Sequence, residues 1–136
     1  MKPALLSVFN GLDAYLARPE PAFRWEKKSE KRVGETLIEE LRLVSQTWQG
    51  NVWEHRVQLC RPVKPRFPDF CVVRNTGGDG GERDEALGVQ LSRDSGCAVA
   101  TMFNNPMQPL YGGLEEDALI AYTWQKYLET DRKSVV

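Results

Sequence analysis

The chain has 136 residues, 41% of them hydrophobic and 27% charged, and 18 Lys and Arg set against 19 Asp and Glu leave a net charge of −1. That length fits one domain. The balanced charge supplies no field to gather nucleic acid, and no apolar run approaches the roughly 20 residues of a membrane span. Cys60, Cys71 and Cys97 cannot all pair and show no C-x-x-C spacing, so they read as small buried apolar side chains rather than zinc or redox ligands. At the start, the apolar patch around Leu5 to Phe9 is ended by Asn10-Gly11 before a signal-peptide core of about 7–15 residues is formed, so no export signal is expected there.

In chain order, Asn10 can cap a short helix over 11–17, with Leu12 and Leu16 on one face and Pro19 as its stop. Phe23 and Trp25 then alternate with Arg24 and Glu26 as a strand, and the run Lys27-Lys28-Ser29-Glu30-Lys31-Arg32 reads as an exposed charged turn. Residues 36–48 fit a helical face at Leu37, Leu41 and Val44. The next segment decides for a strand, because Trp53, His55, Val57 and Leu59 alternate with Glu54, Arg56 and Gln58 and need an antiparallel partner. Gln49-Gly50-Asn51 supplies the hairpin turn.

After Pro62, Pro65 and Pro68 the pattern changes. Asp69-Phe70-Cys71-Val72-Val73-Arg74 is a short apolar strand, followed by the loop 75–81 and a helix over 82–95 with acidic residues at its start and Gly96 at its end. A second apolar run, 97–103, completes a βαβ unit whose strands should be parallel. A last helix, about 114–130, has apolar residues most of the way round and should be well covered. The architecture expected is α/β: a mixed sheet of about five strands, an antiparallel hairpin plus a parallel βαβ unit, with helices packed on it.

The loop Asn75-Thr76-Gly77-Gly78-Asp79-Gly80-Gly81 is the segment with chemical meaning, since it follows a buried strand and opens a helix. It is neither G-x-G-x-x-G nor a P-loop, and Asp79, Glu82, Asp84 and Glu85 would repel phosphate. An oxyanion hole is the alternative, with Thr76, Gly77 and Gly78 as candidate backbone donors and Gly77 or Gly78 expected at positive φ. A plain surface turn remains the bland reading. His55 is the sole histidine and sits mid-strand, which points to packing rather than catalysis. No G-x-S-x-G occurs, and Ser134 has too little chain after it to build a site. Asp79, Asp84, Glu115, Glu116 and Asp117 lack EF-hand spacing and suit helix starts. No catalytic residue, metal ligand or cofactor is assigned.

Three stretches together resemble the PhoPQ-activated pathogenicity-related family: 12–26, with Leu12-Asp13-Ala14-Tyr15-Leu16 and Phe23-Arg24-Trp25; Ser45-Gln46-Thr47-Trp48-Gln49-Gly50 with Trp53-Glu54-His55; and Pro106-Met107-Gln108-Pro109-Leu110 followed by Glu116-Asp117-Ala118-Leu119-Ile120-Ala121-Tyr122-Thr123-Trp124. The resemblance implies an α/β-hydrolase-like fold, usually in exported bacterial proteins linked to the PhoP/PhoQ response and virulence. It implies also that 97–103 lies between 52–61 and 69–75, leaving 69–75 as an edge; because that edge is apolar on both faces, the chain alone is expected to be poorly soluble, to dimerise through 69–75, or to be a fragment of a longer protein. Family members carry their nucleophile downstream of the segment resembling 116–130. Residues 1–136 are therefore expected to be a single domain, the N-terminal half of such a fold, ending before the nucleophile strand and catalytically silent. The alternative is a small binding module that presents aromatics such as Trp48 and Trp53 to a small-molecule or peptide ligand. Location in the cell stays open.

Overall fold

The computed structural model describes Asp13, residues 16–105 and residues 107–130. Five strands, β1 (Arg24–Val33), β2 (Thr36–Trp48), β3 (Asn51–Pro62), β4 (Cys71–Asn75) and β5 (Ala98–Met102), form one sheet in the order β1-β2-β3-β5-β4. Helix α1 (Glu82–Ser95) crosses from β4 to β5, and α2 (Glu116–Thr130) follows. Strands β1, β2, β3 and β5 are successively antiparallel, while β4 and β5 are parallel. This is the mixed α/β sheet expected, and the strand order is the one the family resemblance implies. Of the helix expected over 11–17, only Asp13, Leu16 and Ala17 are described, and the Ala17 amide donates to the Asp13 carbonyl at 2.9 Å.

The β2–β3 hairpin forms because alternate side chains on both strands are apolar on the same face and Gln49-Gly50 closes it, both with positive φ (49° and 78°). The charged run 27–32, expected as a turn, is instead the body of β1, and the turn is Gly34-Glu35, with Gly34 at φ 57°. Cross-strand pairing explains this: Lys27 reaches Glu39 at 3.3 Å and Lys31 reaches Glu85 of α1 at 2.7 Å, so charge is compatible with an edge strand wet on both sides.

Helix α1 covers one sheet face. Gly96 ends it in the left-handed region (φ 72°) with its N–H on the Ser92 carbonyl, as read from sequence. Beneath α1 lie Ile38, Cys60, Val99 and Phe103 together with Gln58 and Thr101, all 1% exposed or less. Gly88 lets the helix approach, since a Cβ there would stand 3.0 Å from Cys60 Sγ. Gln58 is satisfied in this core by donating to Glu40 at 2.7 Å, which keeps a buried amide from costing stability.

Two expectations about covering are corrected. Cys71 is exposed, unlike Cys60 and Cys97, because it lies on the edge strand β4. Helix α2 buries Leu119 but exposes Ile120, Trp124 and Leu128, since it packs beside loop 110–114 through Tyr122 and Tyr111 rather than under other elements.

Candidate functional site

At the C-terminal ends of β4 and β5 the chain leaves the sheet through two loops, 76–81 and 103–109, and β3 runs on beside them because it pairs with β5 only over Val57–Cys60. Glu54, His55 and Arg56 therefore stand alongside both loops. They help to line an open cleft of about 890 Å3 that also takes in Lys31, Glu40, Asp79 and Phe103.

Each anchor of loop 76–81 can be named. The Thr76 N–H donates to the Met102 carbonyl at 3.0 Å, which prolongs the parallel pairing by one residue. Asn104 N–H donates to the Gly78 carbonyl at 2.9 Å and Asn105 N–H to the Thr76 carbonyl at 3.1 Å. Gly78 N–H turns back to its own loop, on Thr76 Oγ1 at 3.2 Å. Of the three candidate donors, Gly77 is the one whose N–H meets no acceptor among the described residues.

The left-handed glycine is Gly80 (φ 77°), not Gly77 or Gly78, so the expectation of positive φ in that pair is overturned, and this counts against the oxyanion role to which that expectation is tied. The reason is packing: a Cβ on Gly80 would lie 2.5 Å from Phe103 Cε1, whereas one on Gly77 would meet nothing nearer than Asn105 O at 4.0 Å. Gly80 lets the loop lie on the buried Phe103 ring.

Arg56 closes the arrangement from the other side. Its guanidinium sits 4.7 Å from the Phe103 ring centroid, forks onto Glu40 (2.8 and 3.0 Å) and donates to the Asp79 carbonyl at 2.7 Å. Burial pushes the Glu40 carboxyl up, but the hydrogen bonds from Arg56 and Gln58 outweigh it and hold the group below the usual carboxylate value. The same pair raises Arg56 above its ordinary value, chiefly through the Glu40 hydrogen bond. Arg42 and Glu54 form a second fork nearby at 2.6 and 2.5 Å. The cleft is lined by charge, and these charges are matched in place.

His55 is 3% exposed. Its Nδ1 lies 3.1 Å from the Asn104 carbonyl and its Nε2 3.1 Å from Ser45 Oγ, Ser45 being the extra residue where the β2–β3 register shifts between Val44 and Gln46. Among the described residues, no carboxylate stands on either ring nitrogen. Asp84 is held by Arg74 at 2.6 Å. Trp48 and Trp53 are half-buried against each other, 5.6 Å between centroids, and Trp48 also meets Tyr111. They are part of an aromatic cluster with Tyr111.

Sequence reasoning placed Thr76, Gly77 and Gly78 together in one loop at a strand end, and the structure agrees. It missed Gly80, Arg56, Ser45 and Asn104. Asn104-Asn105-Pro106 directly after an apolar strand is a turn signal, and in hindsight the one available pointer to Asn104.

A five-stranded mixed sheet with a parallel β-α-β crossover and a glycine loop at its strand ends defines an α/β protein. The sequence model of the PhoPQ-activated pathogenicity-related protein family matches residues 12–136, and the chain belongs to that family. It is 27% identical over 132 residues to autocrine proliferation repressor protein A of Dictyostelium discoideum, a match that takes in 86% of this chain and 26% of the relative. The chain thus spans about a quarter of the length of that relative. Among solved structures it is similar to a glucuronoyl esterase from Solibacter usitatus, at 16% identity and a TM-score of 0.44, over 88% of this chain and 44% of the other.

Proposed function

We propose that these 136 residues are the N-terminal, oxyanion-side portion of an α/β-hydrolase-like scaffold and do not by themselves turn over an ester or amide. The carrying observation is the anchoring of loop 76–81: Met102, Asn104, Asn105, Arg56 and Phe103 fix its backbone, and the Gly77 N–H is left without an acceptor among the described residues. A donor held before substrate arrives is what an oxyanion hole requires, because it then stabilises developing charge without reorganising. On this reading Gly77 is the donor, and Thr76 and Gly78 serve to shape the turn.

Silence of the chain rests on His55. A serine becomes a nucleophile through a histidine that a substrate can approach and that a third group orients toward taking a proton. Here the sole histidine is buried, and its Nδ1 faces a neutral backbone carbonyl rather than a carboxylate. The family's association with the PhoP/PhoQ response and virulence comes to this chain as part of the same reading. The test is covalent labelling with a fluorophosphonate probe: no serine is expected to react stoichiometrically, and modification of Ser45 would refute the reading outright.

A second reading, a small binding module, is favoured by one observation. On β4 and just before it, Phe70 and Val73 are each 69% exposed, which leaves an apolar strand edge open to another chain.

A further inference from the structure

We infer that His55 is a positioning residue, a tether that ties the loop after β5 to the sheet and, through it, fixes the backbone of the glycine loop after β4. This rests on the oxyanion reading only for its catalytic meaning; the tether itself stands on the hydrogen bonds. A carbonyl can only accept, so the 3.1 Å contact between Nδ1 and the Asn104 carbonyl makes Nδ1 the protonated nitrogen and leaves Nε2 to accept from the Ser45 hydroxyl. The ring is thereby fixed at both ends, one end on a sheet residue and the other on the loop.

Asn104 is the node. Its φ is 52°, a region open to few residues other than glycine, and Asn is the best tolerated of them. With its carbonyl on His55, its N–H points at the Gly78 carbonyl and the following Asn105 N–H reaches the Thr76 carbonyl. The two bonds hold the residues on either side of Gly77. If the Asn104 carbonyl were released, its left-handed backbone would lose a partner that favours it, and both bonds to 76–78 would loosen together.

The role predicts that a side chain keeping a donor at the place of Nδ1 preserves the loop, whereas one keeping only the place of Nε2 does not. His55→Asn is the first kind and His55→Gln the second. Amide hydrogen exchange read by NMR at Asn104 and Asn105 should accelerate on the order of tenfold in His55→Gln, the scale of one lost hydrogen bond, and stay near wild type in His55→Asn. Amides of the β2–β3 hairpin should be unchanged in both. Equal acceleration in the two variants, no acceleration in His55→Gln, or acceleration of the whole sheet would overturn the tether and leave His55 as packing. In the unsubstituted chain the imidazole 15N signals should report the Nδ1–H tautomer, and finding Nε2–H would overturn it without any variant. Reactivity of Ser45 toward fluorophosphonate bears on the oxyanion reading and not on these exchange rates, so the two failures are separable.

Discussion

Replacing Gly80 with alanine tests whether the glycine loop is held by contact with Phe103. Two costs add. A side chain at φ 77° costs about 1–2 kcal/mol in backbone strain. The new Cβ would stand 2.5 to 2.8 Å from three Phe103 ring atoms, about 1 Å inside ordinary carbon contact. Phe103 is 1% exposed and lies under Arg56, so the ring has little room to yield, and overpacking of this kind costs about 1–3 kcal/mol. The sum, about 2–5 kcal/mol, is a large part of the roughly 5–15 kcal/mol that holds an ordinary domain. The chain can lower it by lifting the loop, which would break the Arg56 bond to the Asp79 carbonyl. Urea unfolding followed by circular dichroism should show a midpoint well below wild type for Gly80→Ala. Gly77→Ala, where ordinary φ and open space meet the methyl group, should fall within about 0.5 kcal/mol of wild type. Equal effects of the two substitutions, or none from Gly80→Ala, would refute the account of why the loop sits where it does.

Cys71 should be alkylated by iodoacetamide far faster than Cys60, which is 1% exposed and whose thiol burial pushes up to about 11; mass mapping at partial modification decides it, and preferential labelling of Cys60 would contradict the packing under α1. Because burial holds the folded thiol above its ordinary value of 9.0, the stability it contributes is complete below pH 9 and is lost as pH rises toward 11, a loss that Cys60→Ser should not show between those values. Glu40 has the opposite sign: its folded value lies below 4.5, so its contribution is present above pH 4.5 and disappears as pH falls through the folded value. The drop in urea midpoint between pH 7 and pH 3 should accordingly be smaller in Glu40→Gln than in wild type. For the β4 edge, sedimentation should show concentration-dependent association that Val73→Lys suppresses, and a wild-type monomer at high concentration would count against it.

The parts of the fold legible in the sequence are those whose side chains alternate against a buried neighbour. The β2–β3 hairpin, the strand pair flanking α1 and the Gly96 stop are all local patterns, and each falls where the pattern puts it. Only the start of β1, around Trp25, was legible; the run 27–32 was not, because a strand wet on both faces has no alternation to display there and seven of the ten residues of β1 are charged. Thr76, Gly77 and Gly78 could be placed in a loop, yet which glycine would be left-handed depended on Phe103, more than twenty residues on, lying beneath Gly80. His55 showed the same limit: alternation put it in a strand, while Ser45 and Asn104 meet it only once the register shift and the β5 exit loop exist. Exposure of α2 was misjudged because a helix apolar most of the way round does not say which neighbours it will have.

The two edges of this sheet are unlike, and that difference sets a limit on how many chains can join. Strand β1 presents alternating ammonium, guanidinium and carboxylate groups and a register shift between Lys27 and Ser29, so a further strand would have to desolvate charge to add there. Strand β4 presents Val72 and Val73, and its one charged side chain, Arg74, is held by Asp84 of α1 at 2.6 Å. A sheet that accepts a strand on one side only cannot propagate. Were two copies to meet β4 to β4 about a two-fold axis, the charged β1 strands would face outward, and such an assembly would close at a pair instead of extending into a fibre.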